Sequence, residues 1–243
     1  MTYDAEHDRA IRDITYYDWS ERRQMTEEQS QILKTLRPLK AVCKECRMCR
    51  LGRMEHEHNG KPLPEPHVFS NMNPTKFMVV GQNPGFNECV KDEPFVGEAG
   101  QNFTDAISKF GLSRDAFYIT NVVKCHTPDN RKPESDEADT CSAFLRMELK
   151  IIRPRFVIAL GAVAFEALCP KLAFSASLGK LVKSEKFDVS VYPIYHPSPR
   201  NMTDPSRKTR FEEDIRVMCQ LITRISSSEA PRSAPAVDAP ASS

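Results

Sequence analysis

The sequence predicts an α/β fold, a three-layer α/β/α sandwich around a central, mostly parallel four-stranded sheet. Two observations predict it. Apolar stretches of strand length alternate along the chain with amphipathic helical patterns, which is typical of crossover units and parallel sheets. The chain also has 243 residues and 40% hydrophobic content, which is enough for one substantial core with extensions.

The predicted strands and helices follow one another in a regular order. The strands are "KFMVVG" (76–81), "FYITNVV" (117–123), "RFVIAL" (155–160) and "SVYPIYH" (190–196). The helices are predicted at 27–42, 100–110, 134–152, 161–168 and 207–225. Three helices have start signals, because Thr26 precedes "EEQ", Ser135 opens a long amphipathic stretch, and Gly161 directly follows the third strand.

The two ends of the chain differ from the middle. Residues 226–243, "SSSEAPRSAPAVDAPASS", contain almost nothing large enough to pack, so we expect a disordered tail. Residues 1–25 form a charged extension with the only tryptophan, Trp19. This extension is either a docking arm, for which a replication or repair protein is the expected partner, or a packed addition to the fold. The domain itself is expected to span residues 26–225.

Composition narrows the cellular setting. The formal net charge of +1 indicates no global field for nucleic acids or membranes, so any such surface must be local. No apolar run approaches the roughly 20 residues that span a bilayer, and the first residues are too charged for a secretory signal. Eight cysteines without an export signal favour reduced thiols or a metal centre. We expect a cytoplasmic monomer with no membrane partner, associated with the nucleoid if the source is prokaryotic.

The strand ends predict where a ligand binds. In open parallel sheets, ligands bind beyond the carboxyl ends of the strands, where loops converge. Here those segments are "GQNPG", "NVVKCHTPDNRKP", "GAVAF" and "HPSPRN". Of these, "GAVAF" indicates only a tight turn that leads into a buried helix. The other three are rich in turn formers or in side chains that take part in chemistry, so we expect the site where they meet.

Cysteines are dense at the start of the domain. "VCKECRMCRL" contains Cys43, Cys46 and Cys49, and Cys125 and Cys141 follow further along. Two thiolates from this loop and the two distant ones would complete a shell for zinc or for an iron-sulfur cluster, and spacing does not choose between them.

A local alternative uses the same loop differently. The three loop cysteines with His56 or His58 fit a zinc knuckle. The remaining three cysteines, Cys89, Cys169 and Cys219, are interpreted as small buried thiols without a ligand.

Together these motifs resemble the uracil-DNA glycosylase superfamily, most closely its iron-sulfur branch, family 4. The resemblance covers roughly residues 43–200 and rests on "CRMCRL", "GQNPG", "PFVGEAGQNF", "YITNVVKCHTPDNRKP", "EADTC", "PRFVIALGAVA" and "YHPSPRN". It implies a monofunctional enzyme that hydrolyses the N-glycosidic bond of uracil in single- or double-stranded DNA and initiates base excision repair. It also implies a 4Fe-4S cluster, whose ligands correspond to Cys46, Cys49, Cys125 and Cys141, so that Cys43 is surplus.

The resemblance also implies roles at the strand ends. Phe95 of "PFVG" occupies the position that stacks on the flipped base, and Asn121 would offer a donor and an acceptor to the uracil edge. His196 would donate a hydrogen bond to the uracil oxygen where negative charge accumulates. Asn83 would orient the attacking water, since a neutral amide does not accept a proton as a carboxylate does.

The first motif departs from the iron-sulfur branch. That branch has a glutamate after the first glycine, whereas this chain has Gln82 followed by Asn83. "GxNPG" is instead similar to the mismatch-specific and the single-strand-selective monofunctional glycosylases, and "HPSPRN" closely resembles the latter. In the uracil-only branch with "GQDPYH", the tyrosine blocks a methyl group at C5. Here that place is Gly85, which predicts a pocket, shared with Gln82, that tolerates C5-modified uracils.

A local basic strip follows the last strand. Arg200, inside "HPSPRN", is expected to fill the gap left by the extruded base. The predicted DNA contacts are Ser198, Arg200, Arg207, Lys208 and Arg210. A solvated helix start is an equally good interpretation of the last three.

Two other classes of function fit the same residues. A uracil-DNA binding or trapping protein would keep the pocket but turn over poorly, because the usual acidic residue is absent. An iron-sulfur or zinc module would serve as an interaction platform for replication and repair proteins.

Overall fold

The computed structural model describes residues 25–58, 60–63 and 65–229. The predictions for Trp19 and most of the two ends therefore lie outside the described residues. The helices are α1 (Glu27–Lys44), α2 (Arg50–Arg53), α3 (Phe86–Lys91), α4 (Glu98–Ser108), α5 (Ser135–Ile152), α6 (Ala162–Leu168), α7 (Phe174–Ser177), α8 (Pro199–Thr203) and α9 (Pro205–Glu229). The strands are β1 (Glu57–His58), β2 (Lys61–Pro62), β3 (Phe77–Gly81), β4 (Tyr118–Asn121), β5 (Phe156–Leu160), β6 (Val182–Ser184) and β7 (Val189–Ile194).

The central sheet has five strands in the order β4-β3-β5-β7-β6. Strands β4, β3, β5 and β7 are parallel, and β6 pairs with β7 in the antiparallel sense. The prediction of a mostly parallel sheet is confirmed, and the prediction of four strands is wrong. The fifth strand has three residues and lies in the charged stretch "KLVKSEKFD", which contains no apolar run of strand length.

Alternate residues of each buried strand face opposite layers of helices. On β3, Met78 and Val80 pack in a core that includes residues of α1, α5 and α6, whereas Phe77 and Val79 pack in a second core with residues of α4 and α9. Helices therefore cover both faces of the sheet. This confirms the predicted three-layer sandwich and explains why "FMVV" is apolar throughout.

Two of the strands that carry the expected site, β4 and β7, end earlier than predicted, whereas β3 ends at Gly81 as predicted. Strand β4 ends at Asn121 because the main-chain N–H groups of Val122 and Val123 donate to the carbonyl oxygens of Gly81 and Gln82 at 2.9 and 3.1 Å. The chain thus follows the turn after β3. Strand β7 ends at Ile194, so that "YHPS" (195–198) lies in the loop beyond it and "PRN" begins helix α8.

Helix bounds also differ from prediction at the carboxyl end. Helix α9 runs to Glu229, so residues 226–229 are helical rather than part of the predicted disordered tail. The hydroxyl groups of Ser227 and Ser228 donate to the carbonyl oxygens of Thr223 and Ile225 within this last stretch. Across the part of the chain that the structure describes, no helix combines the length and the apolar character needed to cross a membrane.

Candidate active site and thiol cluster

The carboxyl end of β3 lies at the point where the order of the sheet reverses. Strand β4 pairs with one side of β3 and β5 with the other, and a crevice forms at such a point. A Cβ atom built on Gly81 would lie 2.5 Å from Asn121 Oδ1 and would overlap the ring of Phe95. The missing side chain therefore lets an amide and an aromatic ring meet over the end of β3.

Asn121 is the last residue of β4 and is 1% exposed. Its Oδ1 is buried and has no hydrogen-bond partner among the described residues. A buried acceptor left unpaired costs about 1–3 kcal/mol, and such groups are rare in folded proteins. A ligand that donates a hydrogen bond here would remove this cost.

Phe95 lies in the loop between α3 and α4 with a φ angle of 56°, a left-handed conformation that is uncommon outside glycine. Its surroundings hold that conformation. Arg114 Nη1 donates to the Phe95 carbonyl oxygen at 2.9 Å. Glu88 Oε1 accepts hydrogen bonds from the next two main-chain N–H groups, those of Val96 and Gly97, at 3.0 and 2.9 Å. Sequence reasoning missed Glu88, which holds the aromatic residue in place through the main chain.

His196 lies two residues beyond β7, and its ring centroid is 6.2 Å from that of Phe95. The carbonyl oxygen of His196 accepts a hydrogen bond from Asn201 Nδ2 at 2.8 Å. Burial lowers the pKa of His196 to about 4, although part of the side chain remains accessible. The ring is therefore neutral near pH 7, with one N–H donor available.

Asn83 is held by a network of amides. Gln82 Nε2 donates to Asn83 Oδ1 at 2.7 Å, and Asn83 Nδ2 donates to Asn130 Oδ1 at 2.7 Å and to the Pro84 carbonyl oxygen at 3.0 Å. Asn130 has a left-handed backbone, with a φ angle of 55°. Sequence reasoning missed this residue, although "PDN" is a turn signal in one of the segments expected to form the site.

The loop that carries Asn130 is fixed to helix α5. Gln82 Nε2 also donates to the Arg131 carbonyl oxygen at 3.1 Å. The Arg131 guanidinium makes two hydrogen bonds to the buried Glu137 carboxylate, at 2.7 and 2.9 Å, and thereby lowers the pKa of Glu137. The turn after β3 thus rests on a loop that α5 supports.

Gly85 is the N-cap of helix α3 and lies close to the carboxylate of Glu88. A Cβ atom on Gly85 would lie 2.6 Å from Glu88 Oε2. The next residue, Phe86, is exposed and stacks on His58 with ring centroids 4.6 Å apart. This contact holds the Phe86 ring against another part of the chain.

The basic strip divides into free and engaged side chains. Ser198 is the N-cap of α8, and Arg200 and Lys208 are exposed with no hydrogen-bond or ion-pair partner for their side chains among the described residues. Arg207 donates to Asn201 Oδ1 at 2.8 Å. Arg210 is engaged within the fold, because its Nε contacts both oxygens of the Asp214 carboxylate at 2.9 Å.

Five cysteines share one region between α1, α2, β4 and α5. Burial raises the pKa of Cys125, and the neighbouring sulfur atoms of Cys141, Cys43, Cys49 and Cys46 raise it further. Cys43, Cys125 and Cys141 are buried, and Cys46 and Cys49 are partly exposed. The structure therefore brings the four predicted ligands together with the surplus Cys43.

Other groups near the thiols are engaged elsewhere. The Lys124 N–H donates to Cys141 Sγ at 3.3 Å, His56 Nε2 lies 2.6 Å from the Leu51 carbonyl oxygen, and His58 stacks on Phe86. These contacts give no support to a zinc knuckle completed by either histidine. Over the described ranges, no three His, Cys, Asp or Glu side chains are close enough to hold a single metal ion. Cys89, Cys169 and Cys219 are buried, as predicted, and form no disulfide; that they bind no ligand stays a prediction.

The pocket lies at the carboxyl edge of a parallel sheet. It combines the aromatic face of Phe95, the unpaired amide oxygen of Asn121 and the neutral imidazole of His196, and this combination defines the class of the protein. Residues 68–217 match the family model described as "Uracil DNA glycosylase superfamily", and the chain belongs to that superfamily.

Comparison with individual proteins is more specific than the match to the superfamily. A "Type-4 uracil-DNA glycosylase" of Saccharolobus solfataricus is 39% identical over 150 residues, which cover 58% of this chain and 68% of the relative. One from Sulfurisphaera tokodaii is 35% identical over 154 residues, which cover 60% and 70%. A "Type-5 uracil-DNA glycosylase" of Pyrobaculum aerophilum is 36% identical over 163 residues, which cover 59% and 68%. The resemblance to the superfamily and to family 4 is confirmed, and the likeness of two motifs to the single-strand-selective branch stays a prediction.

Proposed function

We propose that this chain is a monofunctional uracil-DNA glycosylase that hydrolyses the N-glycosidic bond and so initiates base excision repair. The convergence of Asn121, Phe95 and His196 at the carboxyl edge of the sheet carries the proposal. These groups are an amide, an aromatic ring and an imidazole, and none of them is the amine nucleophile that a lyase uses. The type-4 and type-5 relatives support the same activity.

Asn121 and Phe95 would recognise the flipped base. Extruding a base costs a few kcal/mol, which stacking on Phe95 helps to offset. The unpaired Oδ1 of Asn121 would accept the N3–H of uracil, and its amide N–H would donate to the adjacent exocyclic carbonyl oxygen, O4. Cytosine has an acceptor at N3, so in the same orientation of the amide it would leave Asn121 Oδ1 unpaired, at a cost on the order of 1–3 kcal/mol.

His196 and Asn83 would act on the bond itself. The neutral His196 ring would donate a hydrogen bond to the uracil oxygen that gains negative charge as the base departs. Asn83 would orient water toward the sugar carbon. Gln82 and Asn130 hold the Asn83 amide from both sides, which supports a positioning role rather than proton abstraction.

Substitutions at Asn83 test the role of the water. We expect Asn83→Asp to retain or raise the single-turnover rate of uracil release, because a carboxylate also orients water and accepts its proton. Asn130 can turn its amide to donate to the new carboxylate. Asn83→Ala should lose most of the activity. A wild-type single-turnover rate for Asn83→Ala would remove Asn83 from the mechanism.

The function itself is tested by an excision panel. The substrates are oligonucleotides with uracil, 5-hydroxymethyluracil, thymine or hypoxanthine, in single and double strands. Release of free uracil over many turnovers supports the glycosylase, and tight binding without turnover supports the trapping alternative. Tolerance of a C5 substituent rests on the missing side chain at Gly85, since the Phe86 ring is held against His58 and the Glu88 carboxylate lies beside Gly85. Failure to release any C5-modified base would contradict that part of the proposal.

We propose a 4Fe-4S cluster on Cys46, Cys49, Cys125 and Cys141. The donor set fits, because four thiolates are the ligands that such clusters use, and the Lys124 N–H already donates to one sulfur. The cluster would link three segments through its bonds to sulfur: the loop between α1 and α2, the end of β4, and helix α5. An interaction platform for replication or repair proteins would use the same centre.

The DNA surface is proposed on the strip that follows β7. Its free side chains are those of Ser198, Arg200 and Lys208, with Arg207 beside them. The engaged Arg210 would serve the fold rather than a phosphate. We further propose that the protein acts as a cytoplasmic monomer, with a replication or repair protein as a partner.

Salt dependence tests this surface. Lys208→Gln should reduce the slope of log affinity against log salt concentration by about 1 for each lost phosphate contact, with the same result for Arg200→Gln. Arg216→Gln is the matched control, since Arg216 lies on the same helix α9 but is paired with Glu213 at 2.6 Å. An unchanged slope in both variants would exclude the strip from the DNA interface.

A further inference from the structure

A fully buried ion pair lies directly beneath the base-recognition residue. Lys124 and Glu148 are 1% and 0% exposed, and Lys124 Nζ lies 2.5 Å from Glu148 Oε2. A buried ion pair is a weak source of stability, because desolvation of both charges offsets their attraction. This pair therefore calls for a role beyond stabilising the fold.

The ammonium group of Lys124 has three donors, and all three are used. Besides Glu148, it donates to Thr120 Oγ1 at 2.5 Å and to the Asn121 carbonyl oxygen at 2.9 Å. Glu148 Oε1 in turn accepts from the Tyr118 hydroxyl at 2.9 Å. The lysine is thus bonded at once to the last two residues of β4 and to helix α5.

The carbonyl group of Asn121 is held by this contact. The Val122 N–H pairs this end of β4 with β3, but β4 is an edge strand. On its outer side, two isolated bridges, Ser70–Thr120 and His67–Cys125, lie before and after Asn121. The Asn121 amide oxygen has no hydrogen-bond partner there to fix it. The position of the amide therefore follows from the main chain, whose carbonyl group Lys124 holds.

We propose that Lys124 is a positioning residue for Asn121, and that its ammonium group fixes the end of β4 so that the amide meets the edge of the base. The inference rests on the proposed function, because it assumes that Asn121 reads uracil. The main-chain N–H of Lys124 also donates to Cys141 Sγ at 3.3 Å, so the same residue connects Asn121 to the thiol cluster.

Two variants separate positioning from stability. Lys124→Met with Glu148→Met removes both charges, and replacing a buried pair with apolar side chains is often neutral for stability. We expect this double variant to unfold near the wild-type temperature but to bind free uracil about tenfold more weakly. Glu148→Gln keeps an acceptor for Lys124 and leaves the contact with Asn121 in place. We expect it to unfold at a lower temperature while its affinity for uracil is unchanged.

The measurements are the thermal midpoint, the inhibition constant of free uracil and the ratio of kcat/KM for uracil and cytosine oligonucleotides. Weakened binding and a smaller ratio in the double variant alone support the inference. Affinity that follows the thermal midpoint across all variants overturns it. If the double Met variant does not fold, Lys124→Met with Glu148→Gln replaces it, because Gln keeps a partner for the Tyr118 hydroxyl. Wild-type protein that neither releases uracil nor binds it refutes the proposed function instead.

Discussion

Replacing His196 with alanine should lower the single-turnover rate of uracil release by about 10²–10³-fold, the usual cost of removing one good donor at a developing anion. DNA affinity should change little, because the ring faces the pocket beside Phe95 rather than the basic strip. The rate is measured with enzyme in excess over a uracil-containing oligonucleotide. His196→Gln, which keeps an N–H donor, should recover part of the loss. An alanine variant with the full rate would exclude His196 from the reaction.

The lowered pKa of His196 predicts a pH dependence of the free energy of unfolding that a surface histidine would not produce. Burial holds this pKa at about 4, whereas the unfolded chain has a value near 6.5. Between these values the unfolded state binds the proton first, so the free energy of unfolding should fall as the pH drops from 6.5 toward 4. Urea unfolding at pH 7 and pH 5 measures the change. The His196→Gln variant should lose less stability over this interval, and an equal loss would contradict a buried neutral ring.

The second large effect is expected at the thiols. Cys141→Ala should abolish iron binding, which is about four atoms per chain for one cluster, and should lower the thermal midpoint strongly. The physical reason is that metal bound only by the folded state contributes its binding free energy to folding. Iron analysis, absorbance near 400 nm (roughly, for a thiolate-held cluster) and thermal unfolding are the measurements.

Cys43→Ala is the matched control. It removes the same side chain from the same region, and Cys43 is even more deeply buried than Cys141. Since Cys43 is surplus to the proposed ligand set, its variant should keep its iron and lose only the stability that a small cavity costs. Iron loss in Cys43→Ala with iron retained in the Cys46 or Cys49 variant would show that the ligand set is wrong.

Sequence patterns predict this fold well where a strand is buried on both faces. "FMVV" and "FVIAL" are apolar throughout because helices cover both sides of β3 and β5, and such runs are recognisable without a structure. Strand β6 has one partner and three residues among charges, so no pattern distinguishes it from a loop. The helical residues 226–229 are similar, since serine hydroxyls that bond to the preceding turn continue a helix that composition alone assigns to a tail.

The residues of the site also fall into two groups, those that the sequence predicts and those that only the structure reveals. Asn121, Phe95 and His196 lie at motif positions, and the structure brings them to one edge of the sheet. Asn130 contacts Asn83, and Lys124 contacts Glu148, across segments that are far apart in the sequence, so these contacts depend on tertiary geometry and have no local signature. Predicting them requires the path of the chain after β4.

Helix α5 carries three supports of the pocket on one rigid rod of about 27 Å. Its first turn holds Arg131 through Glu137, its second presents Cys141, and further along Glu148 holds Lys124. The proposed orientation of water, binding of a cluster and recognition of the base would therefore all depend on this one helix. We expect a substitution that shifts this helix to affect all three supports together.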